Sequence, residues 1–197
     1  ADADPRALLA LMLFCESRTQ ARRDTQGAYV PLDAQEPRLW NEPMRLEAEQ
    51  QLAQAARCGA IGAYQLEAAI QSAHTQRRLG SQVPPQALVA LYDGLLALRP
   101  SIGAQVSRAC ALAAADGASA GLQALDAIDA AQVASYQPYW AARAHLLGAQ
   151  GDVDAARAAY ARAGGLTSQP AVRDYLARAA QQLDQRGMIA PHAGTSA

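Results

Sequence analysis

Gly117 and Gly151 stand 34 residues apart, each between two stretches patterned as helices. That offset is the period of the tetratricopeptide repeat (TPR), a helix–turn–helix unit that buries its apolar face only by stacking on neighbours. Helices fit 101–115, 119–129, 138–149 and 152–164, paired across Asp116-Gly117 and Gln150-Gly151-Asp152. The second unit places Trp140 and Ala144 on its first helix, Gly151 at the turn, and Ala156, Tyr160 and Ala163 on its second. Small alanines let the two helices approach closely, while the aromatics fill the gap between successive pairs. The first unit keeps Gly117 and the stripe Ile102, Val106, Cys110, but carries Asp126 where the repeat takes an aromatic. After Pro170, a helix over 171–186 gathers Val172, Tyr175, Leu176, Ala179 and Leu183 on one face, as a capping helix of a solenoid would. Gly187 is expected to end it.

Upstream the pattern stays helical. Alanine supplies about a quarter of the 197 residues and β-branched residues are scarce, which favours helix throughout. Asp4-Pro5 reads as a helix start, followed by an apolar run from Ala7 to Cys15 that covers every side of the helix. Such a helix either threads the middle of the domain or lacks part of its cover. Thr25 to Leu32 reads as a loop with a short extended piece. Asp33 to Glu36 has capping-box spacing that Pro37 interrupts. Asn41 caps a helix over 42–58, another spans 62–78, and Pro84-Pro85 opens a fourth whose stripe is Leu88, Leu91, Tyr92 and Leu95. The expected architecture is all-α: stacked antiparallel helix pairs in a right-handed TPR-like array, with a helical N-terminal half. Its expected parts are a subdomain over 1–99, repeats with their cap over 100–186, and a flexible tail over 187–197.

Charge and motif content narrow the function. A net charge of −1 leaves no excess of cations to neutralise phosphates, which argues against direct nucleic-acid binding. The run Ala7 to Cys15 is about half the length that spans a bilayer, and no cationic segment or cleavage site frames it as a secretory signal. Cys15, Cys58 and Cys110 are widely spaced and read as small buried hydrophobes of a reducing, cytoplasmic protein. His74, His145 and His192 share no metal-ligand spacing, and no nucleotide, zinc or hydrolase motif is present. Neither a catalytic residue, a cofactor nor a metal is expected, so the chain reads as an interaction module and not an enzyme. Arg18, Arg22 and Arg23, with Arg77 and Arg78 at the end of a later helix, read as an anion or acidic-partner site or as a solvated face. Trp40 reads as an interface anchor or as a pin for its own loop.

Several strings, taken in order, resemble a known family. Arg6 to Phe14 followed by Ser17-Arg18 and Ala21-Arg22, the loop Gly27 to Leu32 with Gln35 and Trp40, and Ala63-Tyr64-Gln65-Leu66-Glu67 through Ile70 with His74 form the first part. Leu91-Tyr92-Asp93, Arg108-Ala109, Asp116-Gly117, Gly121-Leu122, Ala141 to Ala144 and Ala155 to Tyr160 continue it. Together they resemble the C-terminal TPR-like extension of bacterial extracytoplasmic-function (ECF) RNA polymerase sigma factors. The sequence departs from that pattern at Glu36-Pro37, at Ser107 and over 168–174. The resemblance implies a regulatory domain controlling transcription initiation in cis. Its partners would be sigma regions 2 and 4 of the same polypeptide and the RNA polymerase core, with no direct nucleic-acid or membrane contact. It implies Arg18, Arg22, Trp40, Tyr64 and Gln65 as candidate partner-binding residues. The alternatives are a free-standing TPR-like adaptor for a protein or peptide, and a helical enzyme or small-ligand binder with a pocket between the two halves.

Overall fold

The computed structural model describes residues 3–59 and 61–189, with side chains to Leu183. Its helices are α1 (Ala3–Ser17), α2 (Glu42–Ala56), α3 (Ala63–Arg78), α4 (Pro85–Leu98), α5 (Ile102–Asp116), α6 (Ala118–Asp126), α7 (Ala130–Val133), α8 (Gln137–Gln150), α9 (Val153–Gly165) and α10 (Pro170–Ile189). Among the described residues the only β-type pairing is an isolated bridge between Arg23 and Tyr29. Consecutive helices pack as neighbours: α1 on α2, α3 on α4, α5 on α6, α8 on α9, and α10 on α9. The fold is all-α and repeat-like.

Local chemistry sets most helix ends. The Asn41 side chain accepts from the Met44 amide at 3.0 Å, and the Asp152 side chain from the Ala155 amide at 3.1 Å, each relieving an orphan donor of a first turn. Gly151 sits in the left-handed region at φ +87°, and the Asp152 amide bonds back to the Leu147 carbonyl at 3.1 Å, closing α8. Three ends differ from expectation. The helix expected over 119–129 stops at Asp126, and the one-turn α7 follows, capped by Asp129. The capping-box segment before Pro37 forms two 3-10 turns, Leu32–Ala34 and Pro37–Leu39, because proline cannot donate inside an α-helix. α10 continues through Gly187 to Ile189, whereas 190–197, including His192, lie outside the described residues.

Three apolar clusters run along the array. Ile70 of α3 joins Leu88, Tyr92 and Leu95 of α4 and Ala104 of α5. Val106 and Ala109 join Leu122, Leu125, Tyr139 and Leu146, linking one helix pair to the next. Ala144, Tyr160, Ala163 and Leu176 seal α8, α9 and α10. The repeat positions Ala144, Ala156, Tyr160 and Ala163 are all buried. Trp140 is half-buried, donates to the Val133 carbonyl at 3.1 Å and carries the Arg162 guanidinium 4.0 Å above its ring.

Close approach within α5–α6 depends on Gly121. A Cβ there would stand 2.8 Å from the Ala109 carbonyl oxygen and 2.6 Å from the Ala113 Cβ. Asp126, the position where the repeat takes an aromatic, pairs with Arg143 on α8. A charge contact between successive units replaces the missing ring.

Candidate functional site

α1 is buried on one side only. Ala7, Ala10 and Phe14 face α2 and α3 with no exposed surface, while Leu8, Leu9 and Met12 are 37%, 42% and 59% exposed. Of the two arrangements open to an all-apolar helix, the structure adopts the one in which part of the cover is missing.

A groove of about 800 Å³ opens along the inner side of the array. Its floor and walls come from α4, α5 and α8, including Leu88, Tyr92, Val106, Cys110 and Leu146. α3 supplies His74, Arg77 and Arg78 at one end, and α8 supplies His145. Alanines of α5 and α8 leave the space that longer side chains would fill. Among the described residues lining the groove, Asp33 is the only carboxylate. Arg38, Arg45, Arg99, Arg108, Arg143 and Arg157 are paired with acids, yet among the described residues neither Arg77 nor Arg78 forms an ion pair. Arg77 is exposed, and Arg78 Nε donates to the Gln35 carbonyl at 2.8 Å.

The segment from Arg23 to Gln35 forms a strap beside this groove. Asp24 accepts from the Gln26 and Ala28 amides at 2.9 Å each, fixing a tight turn, and the Val30 amide bonds to the Arg22 carbonyl at 3.0 Å. The Tyr29 ring reaches Tyr175 of α10, edge-on with centroids 5.4 Å apart. Gln35, 5% exposed, fastens the other end: its Oε1 accepts from Trp40 Nε1 at 3.3 Å and its amide nitrogen donates to the Val30 carbonyl at 3.3 Å. Asp33 is felt electrostatically by His74 on α3, Cys110 on α5 and Tyr175 on α10. Burial holds the His74 imidazole below its usual range, with Asp33 opposing and Arg77 and Arg18 reinforcing that shift. Burial also pushes up the Tyr92 phenol, against a hydrogen bond with Ser107.

The sequence-based candidates separate on this framework. Arg18 is 7% exposed, so neither a solvated face nor a surface contact describes it. Its Nη2 donates to Gln71 Oε1 at 2.5 Å while Nη1 is buried without a hydrogen-bond partner, and burial lowers its pKa. Arg22 is exposed and holds the Cys15 carbonyl at 2.8 Å. Trp40 is 7% exposed and pins its own loop through Gln35. Tyr64 lies under the Arg99 guanidinium, 5.1 Å from it, and Gln65 has a buried Oε1 without a hydrogen-bond partner. These five do not form one patch with the groove residues. The cysteines also differ from expectation: Cys15 and Cys58 are half-buried, and Cys110 is exposed on the groove. Among the described residues no cluster of His, Cys, Asp and Glu is arranged to hold a metal ion, and no helix is long and apolar enough to cross a membrane. Arg77 and Arg78 had a signal in the sequence as an arginine pair ending a helix. Tyr29, Asp33 and Tyr175 had none, because only the folded array brings them together.

Residues 1–56 match a family model described as a family of unknown function, DUF6596. That match spans α1, the strap and α2. The chain is 32% identical over 176 residues to an uncharacterized protein of Rhizobium meliloti (strain 1021), R00370, covering 89% of this chain. It spans 41% of that relative's length. No solved structure matches the chain.

Proposed function

We propose that this chain is the regulatory, protein-binding domain of an ECF-type RNA polymerase sigma factor, acting in cis and contacting protein and not promoter DNA. The observation that carries the reading is the uncovered face of α1, where Leu8, Leu9 and Met12 stand exposed on a helix whose other face, through Ala7, Ala10 and Phe14, is packed into the domain. Apolar side chains grouped on one helix face mark a contact surface, and sigma regions of the same polypeptide are the cover this reading assigns to it. The ordered strings that resemble the ECF extension support it, as does a relative more than twice as long as the stretch it shares with this chain. The near-neutral charge accords with a domain that leaves DNA to other regions. Physically, docking of α1 against sigma regions biases which arrangement of the polypeptide is populated, and so how readily it engages polymerase. On this reading the domain is cytoplasmic and has no catalytic role.

The test is transcription from genomic DNA by core polymerase with the full-length polypeptide, with and without the present 197 residues. Sequencing the 5′ ends of the transcripts removes the need to know the promoter. Initiation at a defined set of sites, altered severalfold by the deletion, is the expected result. Identical initiation with and without the domain, or none with either, contradicts the reading.

A second reading, a free-standing adaptor, is favoured by the groove itself, which needs no attached partner to receive a peptide.

A further inference from the structure

We propose that the inner groove is a binding site for an acidic peptide segment with apolar side chains, and that the strap's Asp33 is a built-in occupant which such a segment displaces. This inference does not depend on the sigma-factor reading, since it concerns only the chemistry of the groove.

Three observations converge on it. The first is charge: Arg77 and Arg78 both line the groove, and neither forms an ion pair among the described residues. A guanidinium offers a planar fork of donors that matches a carboxylate, so an unpaired one facing a cavity is suited to an acidic ligand. The second is shape: about 800 Å³ of space lies over Leu88, Tyr92, Val106 and Leu146, walled by alanines of α5 and α8. A pocket of that size, mostly apolar with a few polar groups placed at its end, takes an apolar side chain and orients it by charge. The third is that the fold already puts an acid there. Asp33 lines the same groove as His74 and Cys110, and is delivered by the strap, whose residues 23–27 are exposed.

The strap is held at its tip by one aromatic contact, Tyr29 on Tyr175, and at its base by Gln35. An edge-to-face pair is weak enough to be exchanged for a ligand's own contacts. The incoming peptide places its carboxylate on Arg77 and Arg78 and its apolar side chain on the floor, while Asp33 moves out with the strap. A neutral peptide gains the floor but not the arginines, and a basic one meets two cations.

The experiment uses the full 197-residue chain and a fluorescein-labelled peptide alternating aspartate and leucine, read by fluorescence anisotropy. Its control is the same peptide with asparagine in place of aspartate. The acidic peptide is expected to bind about tenfold or more tightly than the control, with an affinity that falls as salt is raised. Asp33→Asn and Tyr29→Ala are each expected to strengthen that binding severalfold, the first by removing a like charge from the groove and the second by releasing the strap. Arg77→Gln, at an exposed position and with its fold checked by circular dichroism, is expected to erase the preference for the acidic peptide. Equal binding of the two peptides, no binding even to Asp33→Asn, or an undiminished preference in Arg77→Gln would overturn the proposal.

Discussion

The Tyr29 ring meets the Tyr175 ring edge-on, at 5.4 Å between centroids and 75° between planes. The two residues belong to the loop after α1 and to the last helix, so this contact closes the N-terminal part of the chain onto the cap of the array. Replacing Tyr29 with alanine removes an interaction of about 0.5–1.5 kcal/mol beyond its buried area. The helical clusters do not depend on it. We therefore expect a small drop in the thermal midpoint but a clear loss of hydrogen-exchange protection at the Ala28 and Val30 amides, which are bonded within the strap. Unchanged protection at both amides contradicts the assignment of Tyr29 as the strap's holding point.

Gly121 tests the packing of the first repeat-like unit. In an open helix, exchanging glycine for alanine stabilises by roughly 0.5–1 kcal/mol. Here the added methyl meets the Ala109 carbonyl oxygen at 2.8 Å, a backbone atom that cannot rotate away. Overpacking costs about 1–3 kcal/mol and decides the sign. Gly121→Ala is expected to lower the urea midpoint, and a rise in stability would show that α5 and α6 are less closely apposed than described.

Arg162 and Trp140 bind α9 to α8 through a guanidinium stacked 4.0 Å above the indole. Arg162 is exposed, which places the interaction at about 0.5–1 kcal/mol. Arg162→Ala also loses the bond to the Ala134 carbonyl at 3.0 Å. Chemical denaturation followed by tryptophan fluorescence is expected to show a loss of that order, whereas Asp126→Asn, which breaks an exposed pair with Arg143, should cost less. The reverse ranking contradicts the account.

Stability should rise with pH through the imidazole range because of His74. Burial, with Arg77 and Arg18 adding to it and Asp33 opposing, depresses its folded pKa. The unfolded chain, with an ordinary histidine near about 6.5, then takes up its proton first as the pH falls. The neutral imidazole's contribution is complete above that value and is lost as the pH drops through it toward the depressed folded value. Urea midpoints at about pH 7.5 and pH 5.5 should differ less in His74→Gln than in the native chain. Equal differences in the two proteins would contradict the burial assigned to His74.

Helices were legible in the sequence because capping residues, prolines and apolar spacing act locally. Asn41 caps where its position predicts, and the buried alanines of α8 and α9 fall on the repeat's spacing. The failures came where tertiary contacts decide. Arg18 read as solvated because its helix turns polar after Cys15, yet α3 lies against that end and buries it beside Gln71. Cys110 sits on an apolar stripe, but its side of α5 faces the groove. Gly187 carries a stop signal that α10 passes through, glycine being only about 1 kcal/mol worse than alanine inside a helix. The groove site joins Asp33, His74, Arg77 and His145 from three separate segments. No spacing rule links such positions before the array has formed.

The central claim is that this domain serves a sigma factor in cis. The most direct measurement is the intact mass of the polypeptide made in the native cell, together with the reading frame ahead of Ala1. The account predicts a product well above the 20.7 kDa of these residues, with sigma regions 2 and 4 encoded in frame before them. A mature protein of about that mass translated from a start codon at residue 1, or an unrelated domain in that frame, would contradict it.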